Sequence, residues 1–451
     1  MDPLHELTDH IRKEDLILAI RRLTGETEIL LSEVVDVKRA TSGIEGFTST
    51  VVRVHASYRV RGDSEEHRVS FVAKTAPLEE SQMEIVKSCR VFIREGVYFT
   101  EIVPLMLKAS AGRVELPLPV CYHAVYDGVN DAIYMEDLGA KGFRTPRRTY
   151  QLDGLDLDHC IVALKNLGRL HALAFAAERL LPKEKGSILK IFPDLAKDAV
   201  IYDRKPGQPQ QPYQGMVERG LEVVLMISKQ LEGLPKKAEA TGILGKVLEG
   251  LWPTLKRLIE PRQGGINILT HGDYWLNNIM FRYGVNGVTP VEAKIIDFQV
   301  ARYCHPAVDV INFMYISTRR PMRDKHFDML VNEYYNSMVE TLSALDQPIP
   351  ISLVDFKLDL FGVYRTFGVI VSAAFLPLMM LGEDFVPSNA DEMTKEKYED
   401  FFKTGCSSLI LQRYASDSNY RSKVEVELRE FIEVILPDGL DSIESSPLMI
   451  S

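Results

Sequence analysis

Cysteine is scarce in this chain and is not paired. The five cysteines are scattered, and no two of them form a C-x-x-C pair: Cys89, Cys121, Cys160, Cys304 and Cys406. Disulfide frameworks and structural zinc sites both use cysteines at short, repeated spacings. A chain of 451 residues can bury a core large enough to fold without either. We therefore expect a protein of a reducing compartment, the cytoplasm, without structural zinc.

Long apolar runs and basic clusters are also missing. The longest apolar run, FGVIVSAAFLPLMML at 367–381, has 15 residues and contains Pro377, whereas a membrane span needs ~20. The first residues, MDPLHELTDHIRKEDL, are charged and lack the apolar stretch of a signal peptide. The formal net charge is −10 and Lys and Arg are dispersed, so a nucleic-acid partner is not expected. We expect neither a membrane span nor a secreted protein.

The first third of the chain has the pattern of a small sheet with one helix. Segments rich in β-branched residues lie at 51–60 and 67–75 with a short polar turn between them, which is the pattern of a hairpin. A helical pattern follows at 81–107, and Pro104 is expected to end that helix a turn early. Two further strands are predicted at 116–122 and 131–135.

After Leu138 helical patterns prevail, interrupted by a strand-rich segment at 266–300. The predicted helices span 159–179, 218–231, 355–381 and 424–436. The Pro- and Gln-rich segment 203–215 is predicted to be a surface loop. We therefore predict an α+β fold with a small lobe at 1–138 and a larger, mostly helical lobe at 139–451. A cleft between two lobes is where a ligand would bind.

The most informative motif is LTHGDYWLNNIMF, followed by the strand and turn AKIIDFQV. Phosphoryl transfer needs a base beside the acceptor hydroxyl and Mg²⁺ on the phosphates. Asp273 is in the base position, while Asn278 and Asp297 offer the hard oxygen ligands that Mg²⁺ prefers. The spacing matches the H-R-D-x-x-x-x-N and D-F-G motifs of protein kinases. Each triplet alone is also typical of a tight turn or a helix cap, but their combination favours a kinase.

A kinase also needs a lysine on a strand and a glutamate on a helix that orients it. Lys74 lies within the strand pattern FVAKT, where a charged side chain could equally face solvent. Glu95 has aromatic residues three positions before it and four after it, so it lies on the apolar side of its helix. A carboxylate there is costly unless it is paired. We predict an ion pair between Lys74 and Glu95, with Glu84 and Glu101 as weaker alternatives.

Two further nucleotide contacts are predicted from less specific patterns. In the turn TSGIEGFTS, backbone amides at Gly43 and Gly46 would approach phosphate, with Ser49 nearby, although an ordinary hairpin turn explains the pattern equally well. In the strand end IYMEDL, the backbone of Glu136 and Leu138 would meet the edge of adenine. Acidic residues that cap the next helix explain that segment as well.

Four other polar or aromatic residues near these motifs are predicted to be structural. His271 is expected to belong to the framework of the catalytic loop, and Asp309 to brace that loop. His171 is expected to be a packing histidine with satisfied hydrogen bonds. Trp275 could line the acceptor pocket, but packing beneath the loop is favoured because large aromatic side chains prefer burial.

The segments HGDYWLNNIMF and KIIDFQVARYCHPAVDV resemble the ecdysteroid kinase-like family, in the wider group of choline- and aminoglycoside-kinase-like phosphotransferases. The resemblance covers most of the chain and includes the F-x-x-E-x-x-Y segment around Glu95. It implies a bilobal protein-kinase-like fold, with a small antiparallel-sheet lobe and a large helical lobe. It also implies ATP, Mg²⁺ and a small hydroxylated acceptor such as an ecdysteroid or a xenobiotic.

The resemblance also implies roles for individual residues. Asp273 would be the catalytic base, Asn278 and Asp297 the Mg²⁺ ligands, and Lys74 a phosphate contact that is paired with Glu95. Gln299 stands where D-F-G has glycine. The family shares this difference, which implies that switching of the activation segment is absent.

Two alternatives to a steroid or xenobiotic kinase stay open from the sequence. A choline- or aminoglycoside-type kinase would need a strongly acidic pocket for its cationic acceptor. The apolar stretch around Phe375 and Leu378 favours a steroid-like acceptor if it lines the pocket, but it decides nothing if it is only core. A catalytically inactive binding protein on the same fold is the other alternative.

Overall fold

The computed structural model describes residues 11–40, 49–77, 83, 86–87, 89–146, 149–182, 188–196, 198–202, 212–232, 237–382, 404 and 406–436. Its first part is an antiparallel sheet of five strands in the order β1-β2-β3-β5-β4. The strands are β1 (Ile29–Arg39), β2 (Thr50–Val60), β3 (His67–Thr75), β4 (Cys121–Val125) and β5 (Ala132–Glu136). Helix α1 (Lys13–Thr24) precedes them. The predicted hairpin of β2 and β3 is confirmed, whereas α1 and β1 were not predicted.

The third predicted strand was wrong in its position. It was expected at 116–122, but β4 begins at Cys121. Pro117 and Pro119 lie in the expected range. Proline has no N–H to donate to a strand ladder, and the chain here is therefore irregular. The Pro117 carbonyl instead accepts a hydrogen bond from the N–H of Ile295 in the second part of the fold.

The helix after β3 does not end early at Pro104. It comprises α2 (Val91–Val97), a π-helical turn at Tyr98–Ile102 and α3 (Val103–Ser110). Pro104 therefore stands in the first turn of α3, directly after the π turn. A proline is tolerated there because the wider turn before it does not require its missing N–H. The prediction that the helix would end early was wrong for this reason.

The two faces of the first sheet are covered by different parts of the chain. Ala73 and Tyr134 are cross-strand neighbours and pack in a core cluster with α1. Lys74 and its cross-strand partner Ile133 are each one residue from Ala73 and Tyr134 along their strands. Successive side chains of a strand point to opposite faces, so Lys74 and Ile133 lie on the other face of the sheet. Ile133 belongs to the larger core cluster, which includes α2 and the second part of the fold. Lys74 thus faces the interior between these parts.

The second part of the fold is mostly helical, with two small sheets. Its helices are α4 (Thr149–Asp153), α5 (Leu157–Glu178), α6 (Ile188–Ile191), α7 (Pro212–Ser228), α8 (Lys237–Glu249), α9 (Leu251–Ile259), α10 (Ala307–Ser317), α11 (Arg320–Ala344), α12 (Leu353–Asp359), α13 (Arg365–Met379), α14 (Ser407–Ser416) and α15 (Ser418–Ile435). A π-helical turn, Leu360–Tyr364, joins α12 to α13. The strands are β6 (Phe143–Arg144), β7 (Ile268–Thr270), β8 (Ile279–Tyr283), β9 (Pro290–Ile295) and β10 (Arg302–Cys304). They pair as β6-β8-β9 and β10-β7. The predicted α+β class is confirmed.

One predicted loop was too long. The segment 203–215 was expected to be a surface loop, but α7 already begins at Pro212. The rest of that loop, 203–211, lies outside the described residues. Helix α7 packs closely on α13 at Gly220, because a Cβ there would overlap the backbone of Ala374. Gly220 therefore sets the position of α7 and of the residues at its start.

Two stretches of helix are long and apolar enough to cross a membrane by length and composition, Leu157–Glu178 and Leu353–Met379. In the fold, 72% and 67% of their most apolar windows are buried. The longest apolar run of the sequence, 367–381, lies at the end of the second stretch, and most of it is buried. Both stretches are therefore core helices of the fold.

Candidate active site

Three charged side chains from distant parts of the chain meet beneath the first sheet. Lys74 Nζ lies 2.6 Å from Glu95 Oε2 and 2.8 Å from Asp297 Oδ1. The side chain of Glu95 is fully buried and that of Lys74 is 6% exposed, whereas Asp297 is 22% exposed at the open side. The predicted ion pair of Lys74 with Glu95 is therefore present. Glu101 is exposed, and Glu84 lies outside the described residues.

The contact of Lys74 with Asp297 was not predicted, and it determines the charge of the lysine. Burial alone would lower the pKa of Lys74, but the charges of Asp297 and Glu95 outweigh it and raise that pKa. Lys74 is therefore an ammonium ion held between two carboxylates. An ammonium in this position can contact phosphate oxygens that reach the open side of Asp297.

The segment around Phe298 ties helix α2 to the chain after β9. Glu95 Oε1 accepts a hydrogen bond of 3.1 Å from the N–H of Phe298. The ring of Phe298 stacks on Tyr98 at 4.2 Å and contacts His271 at 4.7 Å. Asp297 itself has a φ of 69°, in the left-handed region that is uncommon for residues other than glycine. This conformation accompanies the contact of its carboxylate with Lys74.

Asp273 and Asn278 are in direct contact in the loop between β7 and β8. Asn278 Nδ2 donates to the backbone carbonyl of Asp273 at 2.8 Å and to its Oδ2 at 3.0 Å. The N–H of Ile296 donates to the carbonyl of Asn278, which places the loop beside Asp297. The loop therefore brings the three acidic and amide side chains of the motif together, as the spacing predicted.

The buried carboxylate of Asp309 braces this loop. Asp309 accepts hydrogen bonds from the N–H groups of His271 at 2.7 Å and Gly272 at 2.9 Å. His171 Nε2 lies 3.0 Å from the same carboxylate, and its Nδ1 lies 2.8 Å from the hydroxyl of Tyr334. Burial opposes the ionised form, but the hydrogen bond and charge of His171 lower the pKa of Asp309. The predicted bracing role of Asp309 is confirmed, and His171 is a partner of that brace.

His271 belongs to the framework of the loop, as predicted. Its Nε2 lies 2.9 Å from the carbonyl of Ile296, and its Nδ1 lies 3.2 Å from the N–H of Asp273. Gly272 has a φ of 83°, and a Cβ there would overlap the carbonyl of Val300. Glycine at 272 is therefore required both by backbone conformation and by space.

The environment of Asp273 favours its protonated form more than water does. Burial raises the pKa of this carboxyl, and the charge of Asp297 adds to the rise. His271 and the hydrogen bond from Asn278 oppose it, as does Arg302. A carboxylate with a raised pKa is a stronger proton acceptor than one in solvent. This property suits the predicted base.

Residues 43–347 match the sequence profile of the ecdysteroid kinase-like family. The chain belongs to this family. No curated protein sequence matches the chain. It has the bilobal α+β protein-kinase-like fold that the sequence predicted.

Three solved structures are similar to this ecdysteroid kinase-like protein at low identity. The GDP complex of wild-type aminoglycoside 2'-phosphotransferase-IIIa is 12% identical, with 96% of this chain and 99% of that chain covered and a TM-score of 0.33. The choline/ethanolamine kinase family protein from Mesorhizobium loti is 14% identical, with 94% and 99% covered and a TM-score of 0.32. The microcompartment-associated aminopropanol kinase is 12% identical, with 90% and 99% covered and a TM-score of 0.35.

The predicted adenine contacts of this ecdysteroid kinase-like protein lie at the end of β5. The N–H of Leu138 donates to the carbonyl of Glu136 at 3.0 Å, so an adenine edge would have to replace this bond. The side chain of Glu136 is held by Lys141 and by the N–H of Val120. Ser49 lies just before β2, while Gly43 and Gly46 lie outside the described residues. The nucleotide roles of these five residues, Gly43, Gly46, Ser49, Glu136 and Leu138, stay predictions.

Sequence reasoning missed two groups beside the catalytic loop. Arg94 is buried in α2. It donates hydrogen bonds to the carbonyls of Gln299 and Ala301, so it anchors the segment after Asp297. Arg302 lies next to Gly272; burial opposes its charged form, but the charge of Asp198 together with Cys304, Tyr213 and Asp309 raises its pKa. Only a buried position distinguishes these arginines from surface arginines, and the sequence pattern did not reveal it.

Proposed function

We propose that this protein is an ATP- and Mg²⁺-dependent kinase of the cytoplasm. It transfers the γ-phosphate to a hydroxyl of an ecdysteroid or a hydroxylated xenobiotic. The meeting of Lys74, Glu95 and Asp297 beside the pair of Asp273 and Asn278 carries this proposal. Membership of the ecdysteroid kinase-like family supports the coarser conclusion, a small-molecule kinase.

The residues present fit a bound Mg²⁺. Asp297 is the most exposed of the three charged groups, and its Oδ2 accepts a hydrogen bond of 3.2 Å from the amide nitrogen of Gln299. Asn278 uses its amide nitrogen toward Asp273, which leaves its amide oxygen for a metal. Carboxylate and amide oxygens are suitable Mg²⁺ ligands. When bound there, Mg²⁺ would neutralise charge on the phosphates.

The chain's own residues then have defined tasks. Lys74 contacts the phosphates, and Glu95 keeps its ammonium aimed at them. Asp273 accepts the proton of the acceptor hydroxyl as the new bond between oxygen and the γ-phosphorus forms. The bond from that phosphorus to the β–γ bridging oxygen breaks, and ADP leaves with the electron pair. Asp309 and His271 keep Asp273 in place through the backbone of the loop.

The structure supports the class of acceptor less directly than it supports phosphoryl transfer. The apolar run at 367–381 is mostly core, so it cannot by itself select a steroid. Phe375 is buried with the rest of this run, and its ring lies 5.4 Å from Tyr213 at the start of α7. A neutral polycyclic alcohol would gain affinity from the apolar area that it buries, roughly 25 cal/mol per Å². Membership of the ecdysteroid kinase-like family supports such an acceptor.

A competition assay with radiolabelled ATP tests the proposal. Ecdysone, choline and kanamycin are offered at equal concentration, with the Asp273→Asn variant as the inactive control. Preferential phosphorylation of ecdysone is the expected result. Preference for choline or kanamycin would overturn the acceptor class and leave the kinase in place. Absence of transfer and of ATP hydrolysis would instead indicate the inactive binding protein.

A further inference from the structure

One face of helix α9 lines two cavities. Trp252 lines the first, and Lys256 and Ile259 line the second, so the three side chains are four and three residues apart on the same face. The cavity at Trp252 has a volume of about 390 Å³ and the cavity at Lys256 about 270 Å³. Ligand sites usually occupy ~300–1,000 Å³. The cavity at Lys256 is therefore below this range, and the cavity at Trp252 is at its lower end.

The cavity at Trp252, called here the apolar cavity, is walled mainly by α7 and α8. Val217, Leu221, Leu225 and Leu248 line it. Three glutamates also line it, but two of them have partners: Glu218 accepts from Gln214, and Glu222 pairs with Arg219. The walls therefore suit an apolar body better than a free cation.

The cavity at Lys256, called here the polar cavity, contains a buried ion pair. Arg302 Nε lies 2.9 Å from Asp198 Oδ2, and the two side chains are 5% and 11% exposed. The N–H is not directed at the oxygen, and neither atom has a hydrogen bond among the described residues. Buried polar atoms without hydrogen bonds are rare and costly. A ligand hydroxyl could bond with both atoms.

Arg302 places the polar cavity beside the catalytic loop. Its Nε lies 3.2 Å from the position of a Cβ on Gly272, the residue before Asp273. A hydroxyl that bonds at Arg302 is therefore close to the predicted base.

The ring of Tyr213, at the start of α7, lies near Trp252 of the apolar cavity. Its ring is 6.5 Å from that of Trp252, and Gly220 fixes α7 on α13. Burial raises the pKa of its phenol, the charge of Arg302 opposes the rise, and the charges of Asp273 and Asp198 add to it. The ring is thus near one wall of the apolar cavity, and the charges around its hydroxyl include Arg302 and Asp198 of the polar one.

We propose that the two cavities are the ends of one acceptor groove along α9, with Tyr213 at their junction. The acceptor is an elongated amphipathic alcohol. Its hydroxylated end lies at Arg302 and Asp198, next to Asp273, and its apolar body lies against Trp252. This inference rests on the proposed function for the reaction, and it assigns residues that bind the acceptor.

The charges of the polar cavity give no advantage to a cation at the reacting end. The polar cavity has two cations, Arg302 and Lys256, against two carboxylates, Asp198 and Glu260. A quaternary amine at the reacting end would have to approach Arg302. A neutral alcohol can instead donate to Asp198 and accept from Arg302.

The test uses the full-length protein with ecdysone as the acceptor. Tyr213→Phe removes one hydroxyl and Trp252→Ala removes the apolar wall. Each should raise the KM for ecdysone about tenfold or more and change the KM for ATP less than twofold. Tyr150→Phe, a surface tyrosine bonded to Asp156, is the matched control and should change neither.

A binding measurement separates the groove from the reaction. The chain has two tryptophans, so Trp252→Phe leaves Trp275 as the single reporter. Ecdysone should change the fluorescence of the wild type more than that of this variant, because Trp275 is two residues from Asp273 and reports only on the hydroxylated end.

The outcomes distinguish the two proposals. Phosphorylation with an unchanged KM in both groove variants would overturn the groove and keep the proposed function. A Trp252-dependent fluorescence change without phosphorylation would keep the groove and overturn the function. Absence of both signals would overturn both.

Discussion

Replacing Lys74 by methionine should destabilise the protein more than replacing its partner Glu95 by glutamine. Lys74→Met leaves Glu95, which is fully buried, with its carboxylate supported by the N–H of Phe298. Removing one partner of a buried ion pair typically costs about 3–5 kcal/mol, because the other charge stays buried without it. We expect a loss of that size in the free energy of unfolding.

Glu95→Gln should cost less because Lys74 has a second partner. Its Nζ still lies 2.8 Å from Asp297, which is partly exposed. The glutamine keeps the shape of the side chain and an oxygen that can accept from Phe298. The loss should therefore be about 1–3 kcal/mol, the range for a weakened buried hydrogen bond. The double variant should be no less stable than Lys74→Met alone, because it removes the unpaired carboxylate.

Urea denaturation and phosphate transfer are measured on the same variants. Either single change should reduce activity by about 10²-fold or more, and nearly as much as the double change, since the two residues act as a unit. The exposed pair of Arg282 and Glu292 is the control, and Arg282→Met should change stability by only ~0–1 kcal/mol. A Glu95→Gln loss larger than that of Lys74→Met, or additive losses of activity, would refute the reasoning.

Four further outcomes follow from the site. Asp273→Asn should keep nucleotide binding and lower turnover about 10²–10⁴-fold; near-wild-type turnover would remove the base role. The acidic side of the pH profile of kcat/KM should have an apparent pKa above about 3.9, the ordinary pKa of aspartate. Burial, and then the charge of Asp297, raise the pKa of Asp273. Activity is lost as the pH falls through that raised pKa, since only the ionised carboxylate accepts a proton. An apparent pKa below about 3.9 in the profile would contradict this. Asp297→Ala should abolish Mg²⁺-dependent ATP binding in calorimetry and Asn278→Ala should weaken it less, whereas unchanged Mg²⁺ dependence in both would exclude these ligands. Gly272→Ala should lower the melting temperature more than Gly264→Ala, which has positive φ but open space; equal shifts would mean that the clash is relieved.

The loop that holds Asp273 and Asn278 was predictable because its contacts are local in sequence. Asp273 and Asn278 are five positions apart in one loop, so their contact depends on short-range geometry. The Lys74–Glu95 pair was predictable for another reason. A carboxylate on the apolar side of a helix needs a partner, and a lysine on a nearby strand can supply it.

The acceptor side could not be predicted because it depends on contacts between distant segments. Tyr213 was expected in a loop, but it belongs to a helix whose position depends on the close approach of Gly220 to Ala374. Arg302 and Asp198 are far apart in sequence, and nothing in their neighbourhoods indicates that they meet. The π-helical turn before Pro104 was not predicted either. The spacing of apolar residues along a helix does not reveal one extra residue in a single turn.

The sequence by itself determined the class of fold, the family and the residues that we propose for phosphoryl transfer. These depend on residue types at short spacings and on the periodicity of helices and strands. Only the tertiary structure decided that Lys74 also contacts Asp297, which charges surround Asp273, and which helix face lines the cavities. These properties depend on burial and on distances between segments that lie up to 223 residues apart, and one sequence does not encode them in any local pattern.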